Sequence, residues 1–215
     1  MAAVSRTALR PRLAGLYVLT PDLADTAALA ARAGLALSGG ASAIQYRNKS
    51  APPALKRQQA VALRSLCSAR GATFIVNDDI ELAHAVDADG VHLGRDDASI
   101  AAARARLGPA AIVGVSCYDQ IERAEAAIAA GGDYIAFGSF YPSLVKPDAV
   151  RPPLRLIAEA KARWPDISVV AIGGITAANA APLIEAGADA VAVISAVYDA
   201  PDVASAAREL VACFR

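Results

Sequence analysis

Apolar positions along the chain fall into two alternating textures. Short runs rich in β-branched and aromatic residues occupy residues 15–20 (GLYVLT), 43–48 (AIQYRN), 73–78 (TFIVND), 90–95 (GVHLGR), 112–117 (IVGVSC), 134–139 (YIAFGS), 168–174 (SVVAIGG) and 190–195 (AVAVIS). Between them lie alanine-rich segments with helical spacing, such as 54–70, 80–86, 99–107, 120–130, 154–164 and 177–186. Gly34, Gly71, Gly108, Gly131 and Gly187 stand where most of these segments end, as expected of residues that close a helix in the left-handed conformation. Strand runs without polar alternation suit a parallel sheet covered on both faces. Eight βα units close naturally into a (β/α)8 TIM barrel of the α/β class. A doubly wound open sheet is the competing architecture, but the units show no shift in composition that would mark its reversal point. With 215 residues the chain is expected to form a single domain. Residues 1–13 read as a loosely ordered lead-in and residues 14–215 as the barrel.

Composition narrows the partners. Apolar residues make up 55% and aromatics 5%, and the mean hydropathy is +0.37, a balance suited to close helix-on-sheet packing. The 21 basic and 21 acidic residues cancel, so no global field draws nucleic acid or a membrane surface. Cys67, Cys117 and Cys213 are widely spaced without a CxxC pair, which argues against a disulfide framework or a zinc cluster. The opening segment MAAVSRTALRPRL lacks the apolar stretch of a secretory signal, and no window approaches the length of a membrane span. A cytoplasmic protein acting on small molecules is the expectation, with its oligomeric state unwritten in the sequence.

In a closed barrel, polar residues at the carboxyl ends of strands face the mouth used for chemistry. Here those ends carry acids and phosphate-suited donors. The stretch 74–97 holds two acidic clusters, Asn77-Asp78-Asp79 and Arg95-Asp96-Asp97, at the ends of adjacent runs. Neighbouring carboxylates repel one another unless a cation sits between them. Mg²⁺ suits this place, because one or two carboxylates hold it while substrate phosphate and water complete its shell. The competing role is helix capping, Asp79 for the helix at Ile80 and Asp97 for the helix at Ser99. Each cluster has two acids, so one can cap while the other faces a ligand, and Asp78 and Asp97 are the expected ligand-facing pair.

Gln45-Tyr46-Arg47-Asn48-Lys49 alternates, which places Gln45, Arg47 and Lys49 on one face. Arg matches phosphate with a fork of donors, although a salt bridge to the acidic clusters or a solvated strand end would use the same residues. Gly173-Gly174 after the seventh run and Ile194-Ser195 after the eighth resemble the paired phosphate grip of barrel strands seven and eight, where glycine lets backbone N–H groups approach an anion. His92 reads as a packed, hydrogen-bonded residue and His84 as structural. The loop 139–148 is long for a βα connection and carries Lys146, as a lid over the mouth would.

These segments together resemble the thiamine phosphate synthase family. IQYRNK, FIVNDDIELA, ADGVHLGRDD, VGVSCY, DYIAFGSFYPSLVKPDA, AIGGIT and AVAVISA carry the resemblance, in order and at barrel spacing, from Tyr17 to about Asp199. The resemblance implies that a pyrimidinylmethyl pyrophosphate and a thiazole phosphate are joined to thiamine monophosphate with release of pyrophosphate. It further implies Mg²⁺ on Asp78 and Asp97, and pyrophosphate on Gln45, Arg47, Lys49, Asn77 and Lys146. Ser116 would lie near the pyrimidine, and Gly174, Ile194 and Ser195 would take the thiazole phosphate. Family chemistry is dissociative and needs no protein nucleophile, so Cys117 need not act as one.

The chain departs from the family pattern at the lid. Family members carry threonines before the lysine, whereas this chain reads Ser143-Leu144-Val145-Lys146. Val145 cannot donate a hydrogen bond, a loss of about 1 to 3 kcal/mol unless Ser143 replaces it. Tyr118 also stands where many relatives carry a small polar residue. A related thiazole tautomerase shares the barrel but relies on a histidine after the fifth strand, where Cys117-Tyr118 stands here. A non-catalytic binder of phosphorylated thiazole or thiamine is the third reading, favoured only by Val145.

Overall fold

The computed structural model describes residues 12–95, 99–142 and 150–215. Most of the expected lead-in, together with Asp96, Asp97 and the lid residues Ser143 to Lys146, lies outside the described residues.

Eight parallel strands close into one barrel in chain order. They are β1 (Gly15–Leu19), β2 (Ala43–Tyr46), β3 (Thr73–Asn77), β4 (Gly90–Leu93), β5 (Ile112–Tyr118), β6 (Tyr134–Gly138), β7 (Ser168–Ile172) and β8 (Ala190–Val193). Closure comes where β1 pairs with β8, Gly15 opposite Ala190 and Val18 opposite Val193. The helices are α1 (Thr26–Ser38), α2 (Pro53–Arg70), α3 (Ile80–Ala85), α4 (Ile100–Leu107), α5 (Ile121–Ala129), α6 (Arg155–Arg163), α7 (Ala181–Glu185), α8 (Ser195–Tyr198) and α9 (Val203–Ala212). Among the described residues no helix is long and apolar enough to cross a membrane.

Two apolar layers hold the barrel. Leu16, Val18, Ile44, Phe74 and Val76 face the helices, while Tyr17, Leu19, Ile75, Tyr134 and Val170 fill the lumen. Both faces of each strand are therefore dry, which is why the strands read as unbroken apolar runs. Leu13, just before β1, joins the lumen cluster and is buried.

The amino-terminal floor is pinned by a device repeated every second strand. Asp89, Asp133 and Asp189 each stand one residue before β4, β6 and β8. Each accepts the second N–H of the preceding strand, from Phe74 at 2.8 Å, Val113 at 2.8 Å and Val169 at 2.7 Å. Each also pairs with a cation from the helix that leads into that preceding strand: Arg64 of α2 at 3.4 Å, Arg104 of α4, and Lys161 of α6 at 2.9 Å. One carboxylate thus satisfies a strand-end donor and ties a helix to the sheet.

Helix boundaries follow the capping chemistry, with a departure at α1. Gly34, expected to end a helix, lies inside α1, which Asp25 caps and which runs to Ser38 before closing at Gly39. The small residue is used there for packing: a Cβ on it would meet Leu66 of α2 at 3.9 Å. Gly71 does close α2 in the left-handed conformation, with φ 64°.

Candidate active site

The carboxyl ends of the strands surround a cavity of about 510 Å³. Gln45, Arg47, Asn77 and Ser116 line one part of it, and Gly174, Ile194 and Ser195 line another. A side recess of about 200 Å³ adjoins it, with Arg47 and Asn77 shared and Lys49 and Asp78 added. Nine sequence-expected site residues therefore converge on one mouth. Asp97, Ser143 and Lys146 lie outside the described residues.

The cationic edge is built by strand alternation. Tyr46 and Asn48 turn outward to Gln59 of α2, at 2.9 and 3.2 Å, which leaves Arg47 and Lys49 for the opposite side. Thr20 fixes the backbone there: its hydroxyl accepts from Arg47 N at 2.9 Å and donates to Arg47 O at 3.0 Å. Lys49 Nζ stands 3.9 Å from Asp78 Oδ2. Asp78 has φ 62°, and its N–H donates to His92 O at 2.8 Å. That left-handed step breaks the register, so Asp79 alone caps α3 by accepting from Leu82 N at 2.8 Å while Asp78 stays at the recess. Ser99 caps α4, accepting from Ala102 N at 3.2 Å.

The opposite edge is a backbone cradle. Gly173 and Gly174 have φ 103° and 63°. A Cβ on Gly173 would lie 1.9 Å from Ser139 Oγ, and one on Gly174 would lie 2.3 Å from Pro142 O, so only glycine fits. The helix expected from residue 177 starts instead at Ala181. Asn179 explains the delay, because it accepts from Thr176 N at 2.8 Å and donates to Gly174 O at 3.1 Å, holding a turn in place of a first helical turn. Ser195 opens α8, where the first N–H groups have no intrahelical acceptor.

The floor between the two edges is a hydrogen-bonded chain across the lumen. Gln45 Nε2 donates to Tyr17 OH at 2.6 Å, Tyr17 OH meets Tyr134 OH at 3.0 Å, and Tyr134 OH meets His92 Nδ1 at 2.9 Å. His92 Nε2 then meets Ser116 Oγ at 2.8 Å. Gly114 makes room for it, since a Cβ there would lie 1.9 Å from Tyr134 Cζ. Burial raises the pKa of both phenols above the ordinary tyrosine value. Sequence reading placed His92 as a packed residue and missed Tyr17 and Tyr134. Their only local sign is a polar-tipped ring at an inward strand position.

At the rim, Arg95 and Arg123 stand over the Tyr118 ring at 4.8 and 5.7 Å. Arg123 also donates to Ser116 O at 2.7 Å and Gly94 O at 2.9 Å. Cys117 faces away into the core, and burial pushes its thiol up to about 12, which removes it from nucleophilic use. His84 is exposed in the last turn of α3.

Residues 16–197 match the family model described as thiamine monophosphate synthase. The chain is 56% identical to the thiamine-phosphate synthase of Chromobacterium violaceum over 204 residues, covering 95% of this chain and 98% of that one. It is 57% identical to the protein of the same name from Thiobacillus denitrificans, covering 91% and 92%. Among solved structures it resembles thiamine phosphate pyrophosphorylase from Pyrococcus furiosus, with a TM-score of 0.81, 37% identity and coverage of 93% and 95%.

Proposed function

The chain belongs to the thiamine monophosphate synthase family, and on that premise we propose that it joins an aminopyrimidinylmethyl diphosphate to a thiazole phosphate, forming thiamine monophosphate and releasing pyrophosphate. The observation that carries this reading is the pairing, across one cavity, of a cationic edge (Arg47, Lys49) with a glycine and Ser195 cradle. Two phosphorylated substrates need two anion sites facing one reaction centre.

The bond between the methylene carbon and the diphosphate oxygen breaks first, and its electron pair leaves with the diphosphate. The electron-rich aminopyrimidine carries the resulting cation. The thiazole nitrogen then supplies its lone pair to form the new carbon–nitrogen bond, leaving a thiazolium and requiring no proton transfer. Arg47 and Lys49, joined by Lys146, bind the diphosphate and favour the state in which its charge has grown. Gln45 and Asn77 orient it, with Ser143 as the hydroxyl of the lid. Ser116 lies beside the pyrimidine. Gly174, Ile194 and Ser195 anchor the thiazole phosphate, so that its ring nitrogen is held in line.

Asp78 and Asp97 would hold Mg²⁺. The donor set fits: Asp78 offers a hard carboxylate at the recess, and Mg²⁺ is usually held by one or two such groups together with substrate phosphate. Bound there, the ion would neutralise charge on the departing diphosphate. Lys49 stands beside that carboxylate at 3.9 Å, and the left-handed backbone at Asp78 aims it away from the helix that Asp79 caps. We place the protein in the cytoplasm as a single catalytic barrel preceded by a short lead-in.

Incubating the purified chain with both phosphorylated substrates and Mg²⁺ tests the reaction. Thiamine monophosphate and pyrophosphate should appear in equal amounts. No product would overturn the reading and favour a non-catalytic binder.

A further inference from the structure

Arg123 is the third residue of α5 (Ile121–Ala129), where the positive end of the helix dipole disfavours a cation. The nearby acid of that helix does not explain it, since Glu125 pairs with Arg163 at 4.0 Å. Its hydrogen bonds run to strand ends at the mouth: Nε donates to Ser116 O at 2.7 Å and Nη2 to Gly94 O at 2.9 Å. A residue set against the local helix preference points to a role elsewhere.

The two carbonyls lie where the regular sheet gives out. The β4–β5 ladder runs only to Leu93 opposite Val115, one residue short of both. On its other side, β5 changes register with β6 between Ser116 and Tyr118, and Tyr118 has a left-handed φ of 57°. The guanidinium supplies a further rung between β4 and β5, because its planar fork carries several donors at fixed spacing. It also stands 5.7 Å from the centre of the Tyr118 ring. Ser116 and Tyr118 both line the cavity. The Ser116 hydroxyl meets His92 Nε2 at 2.8 Å, so its side chain and its backbone are held by different partners.

We propose that Arg123 is a positioning residue for the pyrimidine diphosphate, fixing Ser116 and Tyr118 at the cavity wall by clasping the end of β5 to the end of β4. The proposal rests on the function given above. Arg123 acts through the two residues that it holds, and a group displaced by a fraction of its contact distance loses much of its value in orienting a substrate. The thiazole edge, Gly174, Ile194 and Ser195, comes from β7 and β8, outside the clasp. The two substrates should therefore respond differently.

Steady-state KM values for both substrates, with a calorimetric Kd for the pyrimidine diphosphate in Mg²⁺ without the thiazole partner, test the clasp. Arg123→Met keeps the apolar stem and removes the donors, and should raise that KM and Kd by about 10-fold, the worth of one hydrogen bond. Arg123→Lys keeps the charge without the fork, and should raise them by about 3-fold. Both variants should leave the KM for the thiazole phosphate unchanged. A purely structural role would instead lower the unfolding midpoint and the active fraction, with the two KM values moving together or not at all. A pyrimidine diphosphate KM and Kd equal to wild type in folded Arg123→Met would overturn the positioning role, as would an equal rise for both substrates. Arg123→Lys decides by the same criteria if the methionine variant does not fold. Absence of thiamine monophosphate formation by wild type would overturn the function, while the calorimetric Kd would still judge the clasp.

Discussion

Thr20 and Arg47 hold each other by two hydrogen bonds, the Thr20 hydroxyl accepting from Arg47 N and donating to Arg47 O. The side chain expected to grip the diphosphate is thus set by its own backbone being clamped to the end of β1. Thr20→Val keeps the shape and removes both bonds. Stability should fall by about 1 to 2 kcal/mol, and the KM for the pyrimidine diphosphate should rise several-fold with that for the thiazole phosphate unchanged. Urea unfolding and two-substrate kinetics check the two effects separately.

Adjacent acids should separate by role. Asp79 caps α3, so Asp79→Ala should cost about 1 kcal/mol of stability and leave kcat within a few-fold. Asp78→Asn preserves a residue that tolerates the left-handed backbone and removes only the charge. It should lower kcat by about 100-fold or more with little change in the unfolding midpoint. Equal effects of the two substitutions on kcat would mean that the register assigned to this cluster is wrong.

The floor carboxylates should matter to folding and not to chemistry. Asp189→Ala strands Val169 N–H and takes the counter-charge from the Lys161 ammonium, which sit 2.7 and 2.9 Å from its oxygens, leaving Lys161 only the Pro165 and Ile167 carbonyls at 3.2 Å. A loss of about 2 kcal/mol is expected, read from the denaturant midpoint, with kcat unchanged at low temperature.

Thiol reactivity should divide the cysteines. Burial pushes the thiols of Cys67 and Cys117 each up to about 12, so near neutral pH both stay protonated and unreactive in the folded chain. Cys213 is partly exposed. A neutral-pH alkylating reagent should label Cys213 in the native protein and reach the other two only after unfolding, as mass spectrometry would show.

The barrel was legible because each strand is buried on both faces and each helix is not, so texture alone separated them. The edge donors were legible for a related reason: strand alternation put Gln45, Arg47 and Lys49 on one side. What escaped was long-range. Tyr17 and Tyr134 are far apart in sequence and meet only across the closed lumen, so nothing local to either marks the pairing. Gly34 misled for the opposite reason, since a glycine used for helix packing looks the same in sequence as one that ends a helix. The delayed start of α7 depends on where the Asn179 side chain bonds, which spacing alone does not reveal.

Two-substrate steady-state kinetics on wild type, Lys49→Gln and Ser195→Ala, followed by thiamine monophosphate formation with Mg²⁺, tests most directly whether one mouth holds two separate anion sites. Lys49→Gln should raise the KM for the pyrimidine diphosphate or lower kcat, by about 10-fold, and leave the KM for the thiazole phosphate as it is. Ser195→Ala should raise the KM for the thiazole phosphate alone. If both substitutions weaken the same substrate, or neither weakens any, the two-edge arrangement is contradicted.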